Sequence, residues 1–308
     1  MPGTRYVLLG STASGKTAVG LFLARAMNAE IISVDSRQIY RGMEIGSAAP
    51  TAEEQKQVRH HLIGSESLGT VMTAGEFGRR ARDAEADIRS RGKRALLVGG
   101  SGLYLRAALG GLDEPLPMDP ELRESLGGRI ETEGAEVLHR ELAALDPRTA
   151  SEISVRDKQR ITRALEITLI SGKPASELRT TGRDREAGAD IVILDRDQED
   201  LENRMRARIA KMIETGLEAE VRQLLERDLD PELPACKSVG VVETLEFLRG
   251  EITRDEWPQA IFLHTRQLAK RQRTWFRGLK KAEWMQVVPG EPPSETANRI
   301  LNLWKVAH

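Results

Sequence analysis

The sequence predicts an α/β fold, a parallel sheet core interrupted by an all-helical insertion. Three observations carry that prediction. Short apolar runs of strand length alternate with amphipathic segments of helical period through the first third of the chain, the pattern of parallel strands joined by right-handed crossovers. The first run, Tyr6-Val7-Leu8-Leu9, opens onto Gly10-Ser11-Thr12-Ala13-Ser14-Gly15-Lys16-Thr17, which fits G-x-x-x-x-G-K-[ST], the phosphate-cradling P-loop. Strand signals then vanish after Pro117 and return only at Ile191-Val192-Ile193-Leu194-Asp195. The expected core is therefore P-loop NTPase-like, built from residues 1–115 and 189–308, with residues 116–188 as a helical insertion domain.

Bulk composition narrows the field. A chain of 308 residues exceeds the usual single-domain length, and 40% hydrophobic content suffices for a substantial core. The 46 Lys and Arg against 47 Asp and Glu give a formal charge of -1, so a nucleic-acid surface has to come from local clustering. Cys236 is the single cysteine, which excludes an internal disulfide and any multi-cysteine zinc site and suits a reducing compartment. The N-terminus runs into the first strand without a basic leader and apolar stretch, and no apolar run approaches membrane-spanning length. A soluble, cytoplasmic protein with no membrane association and no obligate protein partner is expected.

The P-loop spacing has a physical reason. Gly10 and Gly15 let the backbone wrap so that successive N–H groups point inward, and the helix beginning near Lys16 aims its positive end at the same point. Lys16 adds a point charge, and the Thr17 hydroxyl suits a phosphate-bound Mg2+. Val19, Phe22, Leu23, Ala26 and Met27 recur at helical spacing, predicting an amphipathic helix packed on the sheet. Glu30 to Asp35 reads as a buried strand that delivers Asp35 to the same sheet edge as the P-loop. Two readings of Asp35 stand: an Asx cap for the turn Ser36-Arg37-Gln38, or a general base or Mg2+ partner beside a phosphate site.

Tyr40 to Pro50, with Gly42 and Gly46, is expected as loop. His60 and His61 fall on a short strand, where neighbours point to opposite faces, so one packed and one surface histidine are expected rather than a metal pair. Phe77, Ala81, Ala84 and Ile88 mark a helix. Arg94 to Val98 is a third strand, followed by Gly99-Gly100-Ser101-Gly102 where a P-loop hydrolase would commonly carry an aspartate. That points away from a motor or GTPase and toward a second backbone-lined wall of a ligand cleft.

Asp113-Glu114-Pro115-Leu116-Pro117 is expected as a stiff linker. The stripes Leu122/Leu126/Ile130, Val137/Leu138/Leu142/Leu145 and Ile161/Leu165/Ile167/Leu169 predict the insertion's helices. Beyond Asp195, Leu201, Met205, Ile209 and Met212 mark another helix, edged by Arg204 and Arg208 at i,i+4. Those arginines read either as a solvated flank or as a phosphate clamp. Finally, His264 to Lys281 holds seven basic residues and no acidic one. Arg266, Lys270, Arg273 and Arg277 share one helical face and Trp275 is interleaved, an electrostatic footprint that favours RNA or DNA over a solvated face of mixed sign.

These blocks resemble one family closely, the tRNA dimethylallyltransferases or tRNA isopentenyltransferases. The likeness runs through GSTASGKT at Gly10, ISVDSRQIYRGMEIGSAAP at Ile32, LLVGGSGLYL at Leu96, DKQRITRALE at Asp157 and TRQLAKRQRTWFRG at Thr265. The resemblance implies transfer of a dimethylallyl group from dimethylallyl diphosphate to N6 of the adenine at tRNA position 37, beside the anticodon, with Mg2+ and release of diphosphate. It implies that Gly10, Ser11, Thr12, Ala13, Ser14, Gly15, Lys16, Thr17 and Arg208 hold the diphosphate, with Thr17 toward the metal and Asp35 as base. It further implies tRNA contacts from Asp35, Ser36, Arg37, Gln38, Ser101, Arg123, Gln159, Arg160, Ile161, Thr162 and Arg163. The chain departs from the family at Ser11, where proline is usual, at Ser101, where threonine is common, and at Val241-Val242, where a tyrosine and a basic residue are usual.

The P-loop alone would allow an ATP-binding small-molecule kinase, which leaves the basic stripe without a role. An RNA-binding protein using a nucleotide as a structural ligand is the non-enzymatic alternative.

Overall fold

The computed structural model describes residues 4–110, 118–178, 188–226 and 233–306. In chain order they form β1 (Arg5–Gly10), α1 (Lys16–Ala26), β2 (Ala29–Val34), α2 (Ala52–Gln57), β3 (His60–His61), α3 (Ala74–Ser90), β4 (Arg94–Gly99) and α4 (Gly102–Ala108). Then come α5 (Pro120–Glu133), α6 (Ala135–Leu145), α7 (Pro147–Glu152), α8 (Lys158–Ser171) and α9 (Ala175–Leu178). The chain continues with β5 (Ala189–Asp195), α10 (Gln198–Thr215), α11 (Leu217–Leu225), α12 (Val241–Leu248), α13 (Glu256–Phe276), β6 (Ala282–Gln286) and α14 (Pro293–Leu303). Two compact units result, one of Met1–Leu109 with Glu186–His308 and one of Gly110–Arg185. The expected linker at 113–117 lies outside the described residues. Among the described residues no helix is long and apolar enough to cross a membrane.

The larger unit is organised by one parallel sheet of order β3-β2-β4-β1-β5-β6. Strands that precede α5–α9 lie on one side of β1 and those that follow lie on the other, so the loop after β1 opens where the winding changes direction. Period-two alternation gives each central strand two buried faces. Val7, Leu9, Ile32, Val34, Leu97, Ile191 and Ile193 enter one core, which also takes Phe77, Met205, Ile209 and Phe276. Leu8, Ile31, Leu96, Val98, Val192 and Leu194 enter the other with Val19, Leu23, Ile300 and Leu301.

Helix α1 corrects one expectation. Val19, Leu23 and Met27 are buried, but Phe22 is 43% exposed and Ala26 is exposed, while Gly20, Leu21 and Ala24 are buried instead. Here α1 packs between the sheet and α14, so its buried arc is wider and rotated from the stripe that spacing alone suggests. The histidines differ as well: both are partly buried, His60 Nδ1 donating to Val58 O (2.7 Å) and His61 Nε2 bonding Glu30 Oε2 (2.8 Å). Glu30 is itself buried inside Arg91, Lys93 and His61, and their hydrogen bonds hold its carboxyl far below the usual carboxylate range.

The helical unit has its own core of Leu126, Ile130, Leu138, Leu142, Ala150, Ile153, Ile161, Ala164 and Leu165. Its helices begin where short polar side chains cap them: Asp119 with Pro120 behind it for α5, Asp146 for α7 and Asp157 for α8. Leu145 and Leu169 from the expected stripes are exposed.

Candidate diphosphate site and basic helix

The P-loop is held in a strained shape from outside. Ala13 (φ 65°) and Gly15 (φ 94°) are both left-handed, the alternation that turns successive N–H groups toward one point. For alanine this conformation costs about 1 kcal/mol or more, so neighbours have to impose it. Two arginines do so: Arg204 Nε donates to Ala13 O (2.9 Å) and the buried Arg196 donates through Nε to Ser14 O (2.7 Å). Arg196 is neutralised by Asp200 (2.7 Å), whereas burial and the nearby Arg196 lower the Arg204 pKa. A Cβ on Gly10 would stand 2.3 Å from Ser14 Oγ, a buried hydroxyl with no partner, so a side chain there would force Ser14 to turn away.

Inside the loop the charges are arranged differently. Lys16 Nζ reaches Ser11 O at 3.4 Å. Loss of water pulls its pKa down to about 8, with Asp35 opposing that fall and Arg208 adding to it. Burial likewise lowers the Arg208 pKa against the pull of Asp35. Lys16, Arg208 and Asp35 therefore lie within one another's fields, two desolvated cations to one carboxylate. Asp35 Oδ1 accepts from Arg37 N (2.9 Å) and Gln38 N (3.4 Å), the Asx turn, and Oδ2 takes part in neither bond. Both sequence readings of Asp35 thus fit one side chain. Lys16, Thr17, Asp35 and Gln38 line an open recess with Ile31, Ser33, Pro50, His60, Ile63, Val98 and Gly99.

The other expected contacts divide into engaged and unengaged groups. Gln38 is used internally, accepting from Ser33 Oγ (2.9 Å) and donating to Ala48 O (3.2 Å), and Arg37 donates to Pro234 O. Ser36 is half-buried in the same turn. Ser101 precedes α4 without spending its hydroxyl on a cap. Val241 is fully buried and Val242 half-buried at the start of α12. In the helical unit, Arg123 and Arg163 both bind the fully buried Glu166, at 2.8 and 2.6 Å. Gln159 and Arg160 are exposed and Thr162 is half-buried. Ile161 is a correction: it is 0% exposed in the unit's core, so its side chain packs and offers no contact to RNA.

Helix α13 carries the basic stripe and faces two ways. Arg266, Lys270 and Arg277 are exposed, Arg266 lying 3.9 Å from Glu202. Arg273 is instead ion-paired with Asp195 at the end of β5 (3.1 Å). Trp275 packs inward as well: a Cβ on Gly102 would fall 2.0 Å from its ring, and Arg106 stacks above it. Gln272 stands beside these, with Oε1 accepting from Thr12 N (2.8 Å) and Nε2 donating to Gly100 O (3.0 Å). The Gly99-Gly102 loop, expected as a ligand wall, is therefore also the seat of α13.

Sequence reasoning passed over Arg196 and Gln272. The only signal for Arg196 was its place at the carboxyl end of a strand, where ligands gather. Gln272 carried none, since a neutral residue inside a basic run draws no electrostatic attention.

Comparison with known proteins gives one answer at three levels. The family model for IPP transferase matches residues 38–279. A tRNA dimethylallyltransferase 1 from Trichlorobacter lovleyi is 42% identical over 281 residues, covering 91% of this chain and 92% of the relative. A tRNA dimethylallyltransferase from Salinibacter ruber is 39% identical over 278 residues, covering 90% and 86%. Among solved structures, the tRNA isopentenylpyrophosphate transferase of Bacillus halodurans superposes with a TM-score of 0.71 at 30% identity, covering 98% of this chain and 96% of that one. A eukaryotic dimethylallyltransferase acting on tRNA shares the fold, with a TM-score of 0.83 at 23% identity over 98% of this chain and 79% of its own. With the P-loop, the Asp35 turn and the basic helix all carried on this frame, the chain belongs to the IPP transferase family.

Proposed function

We propose that this protein transfers a dimethylallyl group from dimethylallyl diphosphate to N6 of the adenine on the 3′ side of the anticodon in tRNA. The observation that carries the reading is that Lys16, Thr17 and Asp35 line one recess at the P-loop, with Arg208 near enough for its charge to act on Lys16 and to feel Asp35. Surplus positive charge there suits a departing diphosphate, and a carboxylate suits a nucleophile that must lose a proton. The C–O bond to diphosphate breaks with its electron pair leaving on oxygen, while the C–N bond forms from the N6 lone pair. The N6 proton passes to Asp35. The P-loop amides, Lys16 and Arg208 take the charge that develops on the leaving group.

Mg2+ fits as a companion of the diphosphate. Among the described residues there is no cluster of three or more His, Cys, Asp or Glu to form an all-protein cage. Thr17, lining the recess at the start of α1, would offer one oxygen to such an ion, alongside the substrate's phosphate oxygens and water. When bound, the ion neutralises leaving-group charge. For the acceptor, the exposed Arg266, Lys270 and Arg277 supply phosphate contacts, and the adenine turns out of its stack to meet Asp35.

A kinase is disfavoured by the same geometry. Strand β4 ends in Gly99, and the carboxylate ending β5, Asp195, is committed to Arg273. The test is incubation with Mg2+, labelled dimethylallyl diphosphate and unmodified tRNA, beside a tRNA whose target adenine is replaced. Label in the first RNA alone is expected; label in neither, or equally in both, would overturn the proposal.

A further inference from the structure

We propose that Gln272 is a positioning residue that couples RNA binding on α13 to diphosphate binding in the P-loop. This rests on the function proposed above and adds a residue and a linkage to it. The outward face of α13 offers Arg266, Lys270 and Arg277, and its inward face closes on the sheet edge through Gln272, Arg273, Trp275 and Phe276. Gln272 ties this face to the P-loop, accepting from the backbone N–H of Thr12 at 2.8 Å.

Its chemistry is specific. One end of the side chain meets a donor, Thr12 N, and the other meets an acceptor, Gly100 O at 3.0 Å. Only a carboxamide in one orientation satisfies both. Space is equally tight, since a Cβ on Gly100 would lie 2.5 Å from Gln272 Nε2. Glycine at 100 is what lets the amide reach across from β4's end to the loop after β1. The result is a fixed three-point link between helix, β4 turn and P-loop, inside one unit.

Thr12 N is anchored one residue before Ala13, whose left-handed turn sets the direction of the amides that follow. A shift of α13 when its cations meet an RNA backbone is passed to that N–H through the bond to Gln272 Oε1, while the Nε2 bond to Gly100 O holds the amide in orientation. Diphosphate that reorders the loop is passed outward by the same route. Coupling between two ligands is reciprocal, so each raises the other's affinity by one common factor.

The test measures binding without turnover. Calorimetric titrations with inorganic diphosphate and Mg2+, with and without a saturating anticodon stem-loop RNA, give the factor directly, and the reverse titration checks it. Wild type is expected to show diphosphate binding tightened about five-fold or more by RNA, with the same factor in reverse. Gln272→Met, similar in length but without either hydrogen bond, is expected to bind each ligand alone with a factor near one. Gln272→Glu keeps an acceptor for Thr12 N but sets a carboxylate against Gly100 O, which pushes the side chain off the β4 turn, and it is expected to lose coupling too. Equal coupling in wild type and both variants would overturn the inference, as would independent binding in wild type. Failure of wild type to bind either ligand would strike the functional reading instead.

Discussion

Two clusters of arginine and lysine in this protein look alike in sequence and differ in what they lack. Around Glu166 in the helical unit, Arg123 and Arg163 are already satisfied by a fully buried carboxylate. Around the P-loop, the half-buried Lys16 and Arg208 have lost water and share the single carboxylate of Asp35, while Arg204 is exposed and donates to Ala13 O. Burying cations without partners is expensive, so a fold keeps such a group only where a ligand completes it. A basic motif thus marks a ligand site when its carboxylates are missing, and a structural joint when they are present.

Substitutions separate the two kinds of cluster. Asp35→Asn retains an Oδ1 for the turn and removes the base, so turnover is expected to fall by roughly 10²–10⁴ while tRNA affinity holds. Unchanged turnover in a label-transfer assay would remove Asp35 from that role. Lys16→Met is expected to cost on the order of 10²–10³ in turnover, yet raise the melting temperature at neutral pH. The sign follows from linkage: a lysine whose folded pKa is about 8 against 10.5 binds fewer protons folded than unfolded between those values. Wild-type stability should therefore climb from pH 8 to 10.5 through this residue, and the variant should lack that climb in denaturant melts.

Glu166→Ala acts on stability instead. It strips Arg123, Arg163 and the Asp119 N–H of their shared acceptor, and about 2–3 kcal/mol of unfolding free energy is expected to go. Burial alone would raise this carboxyl's pKa, but hydrogen bonds from Arg123, Arg163 and Asp119 outweigh it and hold it below 4.5. Its contribution is present above that value and lost as pH falls through the folded pKa, which acid titration of wild type and variant would reveal. The smallest effect belongs to the exposed cations. Lys270→Ala with Arg277→Ala should leave melting within about 0.5 kcal/mol and reduce the salt slope of RNA binding by roughly 1 for each lost phosphate contact. An unchanged slope would return that face to ordinary solvated surface.

Much of this was legible in the residues because the central strands are buried on both faces and read as unbroken apolar runs. The P-loop, β2, β4 and β5 could be located to within a residue or two. Strand β6 could not: Ala282-Glu283-Trp284-Met285-Gln286 is an edge strand, half exposed, with no apolar run to announce it. The Lys16 motif and Asp35 were readable from spacing and strand order. Arg196, Arg204 and Gln272 gain their roles from contacts spanning 182, 191 and 260 residues, which no local pattern carries. Arg273 and Trp275 show the converse, a basic and aromatic pattern whose members turn inward to seat the helix.

The measurement closest to the central claim is proton uptake on binding dimethylallyl diphosphate with Mg2+ at pH 8, from calorimetry in buffers of different ionisation heat. A diphosphate that completes the Lys16 site restores its proton, so wild type should take up roughly half a proton more than Lys16→Arg, whose charge is permanent. Equal uptake in the two proteins would mean that Lys16 does not meet the diphosphate, and the account of the P-loop as a leaving-group site would fail.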